Sequence, residues 1–188
     1  VFFNDSYWLC VLTASSGHEG QRSQIAASTI SRDKGRSWSA PVSIEPLPPT
    51  GNRLAASWVN PLLVGTRLYV FYTFNLLNTT QFPDMHVISN SNLLGGQFYR
   101  YSETAGVSWS ERREIPIRST QIDRQNPWNG SILQGWSVGK PFISRDHVAY
   151  LQYTKIGCPP SQAYDCDLIV NYDEAWLFAS KDLSLIHI

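Results

Sequence analysis

Apolar residues along this chain gather in short alternating or β-branched runs separated by Gly, Pro, Asn and Ser, and the spacing of an amphipathic helix is nearly absent. The runs predict strands of four recurring types. The first reads Ser57-Trp-Val-Asn-Pro-Leu-Leu-Val64 and returns as Ser137-Val-Gly-Lys-Pro-Phe-Ile-Ser144. The second is aromatic and β-branched: Tyr7-Trp-Leu-Cys-Val-Leu-Thr13, Arg67-Leu-Tyr-Val-Phe-Tyr-Thr73 and His147-Val-Ala-Tyr-Leu-Gln-Tyr-Thr154. The third covers residues 25–31, 97–102 and 175–180, and the fourth is brief, Pro41-Val-Ser-Ile44 and Glu114-Ile-Pro-Ile117. A fixed turn joins the third type to the fourth. In Ser31-Arg-Asp-Lys-Gly-Arg-Ser-Trp-Ser39, Asp33 is a short acceptor for nearby backbone N–H groups, Gly35 permits the positive φ of a tight hairpin, and Trp38 offers a flat apolar body to clamp the turn. Ser102-Glu-Thr-Ala-Gly-Val-Ser-Trp-Ser110 repeats the Ser, Gly, Ser, Trp and Ser in register, with Thr104 where the Asp would be. Ser180-Lys-Asp182 reads as the start of a third such turn.

Four short strands per unit, a fixed turn before the last, and a period of roughly 70–80 residues are the signature of propeller blades. A β-sandwich would account for the strands and turns, but not for the same strand types returning in the same order. The expected fold is all-β, a β-propeller of four-stranded antiparallel blades at roughly 1–50, 51–120 and 121–182, about two and a half to three blades in all. Such an open array leaves strand edges and an apolar face uncovered, so the isolated chain is expected to aggregate. Residues 183–188, Leu-Ser-Leu-Ile-His-Ile, read as a sequencing or cloning scar and are set aside, His187 with them.

Composition narrows the partners. Fifteen basic and fifteen acidic residues leave no net charge, so neither nucleic acid nor an anionic membrane is attracted over distance. No run approaches the ~20 apolar residues of a membrane-spanning helix. Seven Trp, nine Tyr and eight Phe favour strands, and aromatic faces are also what sugar rings stack on.

The turn Ser-x-Asp-x-Gly-x-Ser-Trp, complete at Ser31, Asp33, Gly35 and Trp38 and repeated at Ser102, Gly106 and Trp109, resembles the Asp-box, or bacterial neuraminidase repeat, of the sialidase-like β-propeller superfamily. With the blade pattern, the resemblance spans residues 1–182. It implies six blades when complete, boxes that serve structure on the rim, and chemistry at the central mouth, on first strands and inter-blade loops. It further implies an exo-acting glycoside hydrolase of the sialidase type on an acidic sugar such as sialic acid, with a carbohydrate partner and no cofactor or metal.

Three stretches bring polar groups to that mouth. Ser16-Gly-His-Glu-Gly-Gln21 presents His18 and Glu19, either of which can transfer a proton, or it is a solvated hairpin tip. Gly51 to Asn60 leads from a Pro-rich connector into a first strand, so Arg53, Trp58 and Asn60 approach the axis. Residues 117–140 form a long connection dense in Arg, Asp, Asn and Trp, of the kind where function concentrates. There Arg118 and Arg124 suit bidentate binding of a carboxylate, Asp123 is a general acid or the ion-pair partner of Arg124, and Trp136 adds an aromatic face. Lys140 aligns with Asn60 in the repeat and is expected on the same side of the channel. Sialidases are similar in using three arginines on the substrate carboxylate, an acid/base Asp and a Tyr nucleophile assisted by Glu. The Arg-Ile-Pro string that opens many of them is lacking, since Ile115-Pro-Ile-Arg118 has a different order, and no nucleophile stands out among the tyrosines. The expected set is Glu19 and Asp123 as catalytic carboxylates, with Arg53, Asn60, Arg118, Arg124, Trp136 and Lys140 on the substrate.

Two other readings fit the same residues. A polysaccharide lyase on a uronate-containing glycan would use His18 or His86 as base, while His147 at a strand start reads as a packing residue. A non-catalytic carbohydrate-binding propeller would bind without turnover. Cys158 and Cys166 bracket a Pro-containing loop and can pair as a disulfide, Cys10 has no evident partner, and sequons stand at Asn4, Asn78 and Asn129. Together these lean toward an extracellular or secreted protein.

Overall fold

The computed structural model describes residues 1–15, 24–46, 56–74, 96–125, 129–131, 133–157 and 173–181. Its strands form three antiparallel sheets. The first holds β1 (Trp8–Ala14), β2 (Ile25–Ser31) and β3 (Val42–Ser43) in that order. The second holds β4 (Ala56–Val64), β5 (Arg67–Phe74), β6 (Gly96–Ser102) and β7 (Arg113–Glu114), again in chain order, and is followed by the single helical turn α1 (Gln121–Arg124). In the third, β8 (Gly135–Trp136) and β9 (Phe142–Ile143) both pair with one edge of β10 (Ala149–Ile156), whose other edge pairs with β11 (Asp173–Ser180). Residues 1–3 lie along the free edge of β1, with Leu9 N–H donating to Val1 O at 2.9 Å and the Val1 ammonium donating to Leu9 O at 2.8 Å.

The strands occur close to where the residue pattern predicts them, with corrections at β7, which covers Arg113–Glu114 rather than 114–117, and in the third sheet. The strand expected over 137–144 is broken, because Trp136 faces Thr154 while Phe142 faces Tyr150, so the intervening residues bulge from the ladder. Gly139 permits this: a Cβ there would sit 1.9 Å from the Gln152 amide nitrogen. β4 bulges at the matching place, where Ser57 faces Thr73 and Asn60 faces Phe71, and Pro61 and Pro141 follow the two bulges on edges that need no N–H. His147 also differs from expectation. It is exposed in the turn before β10 with φ +62, and its neighbour Val148 is the buried residue.

Two apolar seams hold the sheets together. Leu9, Ala26 and Ile44 of the first sheet meet Leu68, Val70 and Phe98 of the second. On the other side of the second sheet, Leu62, Tyr69 and Phe71 meet Leu151, Tyr153 and Phe178 of the third. β5 serves both seams with alternate residues, so its aromatic and β-branched run has no polar face. Glu45, just beyond β3, enters the first seam and accepts from Arg100 Nε and Nη2 at 3.1 Å each, from Arg112 Nη1 at 3.3 Å, and from the Tyr72 hydroxyl. Burial first, and the negative Glu45 second, push the Tyr72 hydroxyl up, so it stays protonated and donates.

The two Ser-Gly-Ser-Trp hairpins share one design. Ser31 Oγ accepts from Gly35 N–H at 2.8 Å and donates to Asp33 Oδ1 at 2.8 Å, while Asp33 also accepts from Ser37 N–H and Oγ at 2.8 and 2.6 Å. Those bonds to the carboxylate, from Ser37 above all, lower the Asp33 pKa to about 2. In the second hairpin Ser102 Oγ takes Gly106 N–H at 2.8 Å, and Thr104 Oγ1 stands in for the carboxylate, accepting from Ser108 N–H at 2.9 Å. The indoles differ in surroundings. Trp38 is exposed and fixed by Nε1–H donating to Gly35 O at 3.1 Å, whereas Trp109 packs against the first seam, because among the described residues the second hairpin has a neighbouring sheet beside it and the first has none. Tyr7 OH donates to Ala105 O at 2.9 Å and completes that contact.

Candidate active site at the converging inner edges

The register sorts the strand ends. Both Ser-Gly-Ser-Trp hairpins lie at the end marked by Trp8/Ser31 and Leu68/Ser102, and the pairs Ala14/Ile25, Phe74/Gly96 and Ile156/Asp173 mark the opposite end. The inner strands β4 and β8 start at that opposite end, since Ala56 faces Phe74 and Gly135 faces Lys155. There the free edges of neighbouring sheets touch. Asn60 Nδ2 donates to Trp58 O at 2.9 Å and to Ser137 O at 2.7 Å, tying the two bulges together. The Trp58 and Trp136 rings meet at 5.7 Å with planes 57° apart. Trp58 N–H donates to Thr13 Oγ1 of the first sheet at 3.1 Å, and Ser57 Oγ donates to Gln24 Oε1 at 2.8 Å. Three sheets are therefore bonded to one another at a single place.

A second polar group closes the seam between the second and third sheets at the same end. Lys155 and Asp123, 0% and 1% exposed, pair at 2.5 Å, and Lys155 Nζ also donates to Arg118 O at 2.5 Å. Asp123 Oδ2 accepts Thr120 N–H at 2.8 Å and Thr120 Oγ1 at 3.2 Å, a capping arrangement on α1. Glu174 Oε2 accepts from Thr120 Oγ1 at 2.7 Å and from Trp176 Nε1 at 3.1 Å, and Lys155 Nζ lies 4.5 Å from the Trp176 ring. Burial, and then the Asp123 charge, push the Tyr153 hydroxyl up, so this tyrosine stays a neutral phenol.

The expected site residues are thus distributed unevenly. Asn60 and Trp136 come together, with Trp58. Arg118 and Arg124 are exposed on the connector around α1, and neither forms an ion pair among the described residues. Lys140 is exposed near the Val1 ammonium, whose pKa burial lowers, Cys10 raises and Lys140 lowers. Asp123 is buried, and the ion-pair partner expected in Arg124 is instead Lys155, 32 residues away. Glu19 and Arg53 lie outside the described residues, as do His18, His86, Cys158, Cys166, Asn78 and residues 183–188; Cys10 is an exposed free thiol. Lys155, Glu174 and Trp176 escaped the sequence reading, although a signal existed. Leu151, Tyr153 and Lys155 alternate on the buried face of β10, and Lys155 and Tyr153 face Glu174 and Trp176 across the ladder.

No protein-family model matches the sequence, and no curated protein is significantly similar to it. Solved structures are similar in fold. The GH93 alpha-L-arabinofuranosidase of Fusarium graminearum, determined with arabinobiose, superposes with a TM-score of 0.53 at 14% identity, over 96% of this chain and 43% of its own. A Hadza microbial sialidase superposes with a TM-score of 0.53 at 16% identity, over 94% of this chain and 35% of its own. The fold is a β-propeller of antiparallel blades, shared with these two glycosidases. The chain spans less than half the length of either similar structure. Its three sheets are blades, and β4 and β8 are inner strands whose free edges face the axis of the propeller.

Proposed function

We propose that this propeller is an exo-acting glycoside hydrolase that removes an acidic sugar, such as sialic acid, from a glycan. The fold shared with two glycosidases supports a glycan-acting hydrolase. The observation that carries the acidic-sugar part is the pair Arg118 and Arg124, exposed and without acidic partners among the described residues, at the end of the blades where the inner edges converge. A guanidinium that no protein carboxylate occupies is free to take a substrate carboxylate through two parallel hydrogen bonds. Arg53 joins them in this reading, with Lys140 and Asn60 beside the sugar and Glu19 as the acid/base group. Asp123 and Lys155 hold the connector that carries both arginines, through the bond to Arg118 O. An extracellular setting belongs to the same proposal.

The test is turnover of a fluorogenic sialoside by the full-length protein. Cleavage is expected, with Arg118→Ala and Arg124→Ala each lowering kcat/KM by about ten- to a hundredfold, the loss of one charge-assisted pair. Unchanged turnover in the double variant would remove the clamp. An ultraviolet-absorbing unsaturated uronate from an acidic polysaccharide would turn the reading to a lyase, and saturable binding without any product would turn it to a lectin-like module.

A further inference from the structure

Trp58 holds a backbone conformation that bulky residues seldom adopt, φ +54. Three blades fix it there. Its N–H goes to Thr13 of the first, its C=O accepts Asn60 of its own, and its ring meets Trp136 of the third. Backbone strain that surrounding contacts over-determine concentrates at binding and catalytic sites. Asn60 is equally committed: both Nδ2 protons go to backbone carbonyls, which fixes the amide and leaves Oδ1 as an acceptor with no hydrogen bond among the described residues. Both indoles are half-buried, their planes are tilted by 57°, and none of the three side chains is charged.

We infer that Trp58, Trp136 and Asn60 form a subsite for a neutral sugar ring. One indole takes the apolar C–H face of the ring, the other meets its edge, and Asn60 Oδ1 accepts a hydroxyl proton. An electron-rich indole face attracts polarised C–H groups and offers nothing to a carboxylate, so this subsite selects the uncharged residue of a glycan. Its place in catalysis rests on the glycosidase reading above, where it receives the sugar joined to the acidic one.

The experiment titrates the full-length protein with lactose and follows tryptophan emission, so no turnover is needed. A saturable change is expected, weakened about tenfold or more by Trp136→Ala and no more than about threefold by Trp136→Phe, with melting temperatures checked for each. Should Trp136→Ala fail to fold, protection of Trp58 and Trp136 by lactose against N-bromosuccinimide oxidation in the unaltered protein replaces it. No saturable change, equal binding by Trp136→Ala, or unprotected indoles would overturn the inference. Failure to cleave any acidic glycan strikes only the hydrolase reading, and failure to bind lactose strikes only the subsite.

Discussion

Asp33 and Thr104 occupy the same place in two hairpins, and the difference between them is one carboxylate. Asp33 has a folded pKa of about 2, below its ordinary value of 3.8, so its contribution is present above the unfolded pKa and is lost as pH falls toward 2. Asp33→Asn, which cannot accept from Ser37 in the same way, should flatten that acid limb of stability in denaturant titrations run at a series of pH values. Thr104→Asp should do the reverse, raising the stability read from denaturant titrations by about 1 kcal/mol by adding an acceptor for Ser108. Lys155 poses a harder case. Lys155→Met leaves the Asp123 carboxylate buried without its cation, a loss of about 3–5 kcal/mol by urea unfolding, whereas Lys155→Met combined with Asp123→Leu should recover much of it. Asp33 was legible in the sequence because its partners lie within four residues of it. The partner of Asp123 lies on another blade, and neighbouring Arg124 was the wrong choice because local spacing says nothing about which strand a connector crosses.

Among the elements, hairpins and third strands were the most legible and inner strands the least. A hairpin is set by residues at fixed offsets, whereas the breaks in β4 and between β8 and β9 depend on Asn60 reaching Ser137 across a gap between sheets. No periodicity reports such a contact, and the unusual φ of Trp58 is equally silent in the residue pattern. Glycines show how far an element depends on its neighbour. Gly106 has φ +88, and a Cβ there would lie 2.0 Å from Leu9 Cδ1, so the second hairpin sits against the first blade with no room for a side chain. Gly65, in the turn between β4 and β5, has φ +58 and nothing within 4 Å. Gly65→Ala should therefore cost only the conformational penalty, about 1 kcal/mol, while Gly106→Ala should cost at least about 2 kcal/mol by adding the clash. Equal losses in thermal or urea unfolding would mean that the hairpin does not bear on Leu9.

At the scale of the molecule, every seam repeats one scheme. A sheet with two apolar faces is pressed between neighbours, and a carboxylate from the connecting segment, Glu45 in the first seam and Asp123 in the second, meets a cation from the next blade. β5 shows what the middle position demands, since every residue on it after Arg67 is buried. The third blade carries the same pattern, with one face that meets no other sheet among the described residues. Phe142 stacks on Tyr150 at 5.3 Å, and the register puts Leu177 on the same face, Phe142 and Leu177 being 54% and 60% exposed. Large exposed apolar side chains clustered on one sheet face mark a surface built for contact. The 188-residue chain by itself should consequently self-associate at micromolar concentration in sedimentation velocity. Leu177→Lys and Phe142→Thr, which place polar groups on that face without touching either seam, should shift it toward monomer. A chain that is already monomeric, or that both substitutions leave equally associated, would show that the patch is not what drives contact between molecules, and attention would move to the edge of β11 that pairs with no described strand.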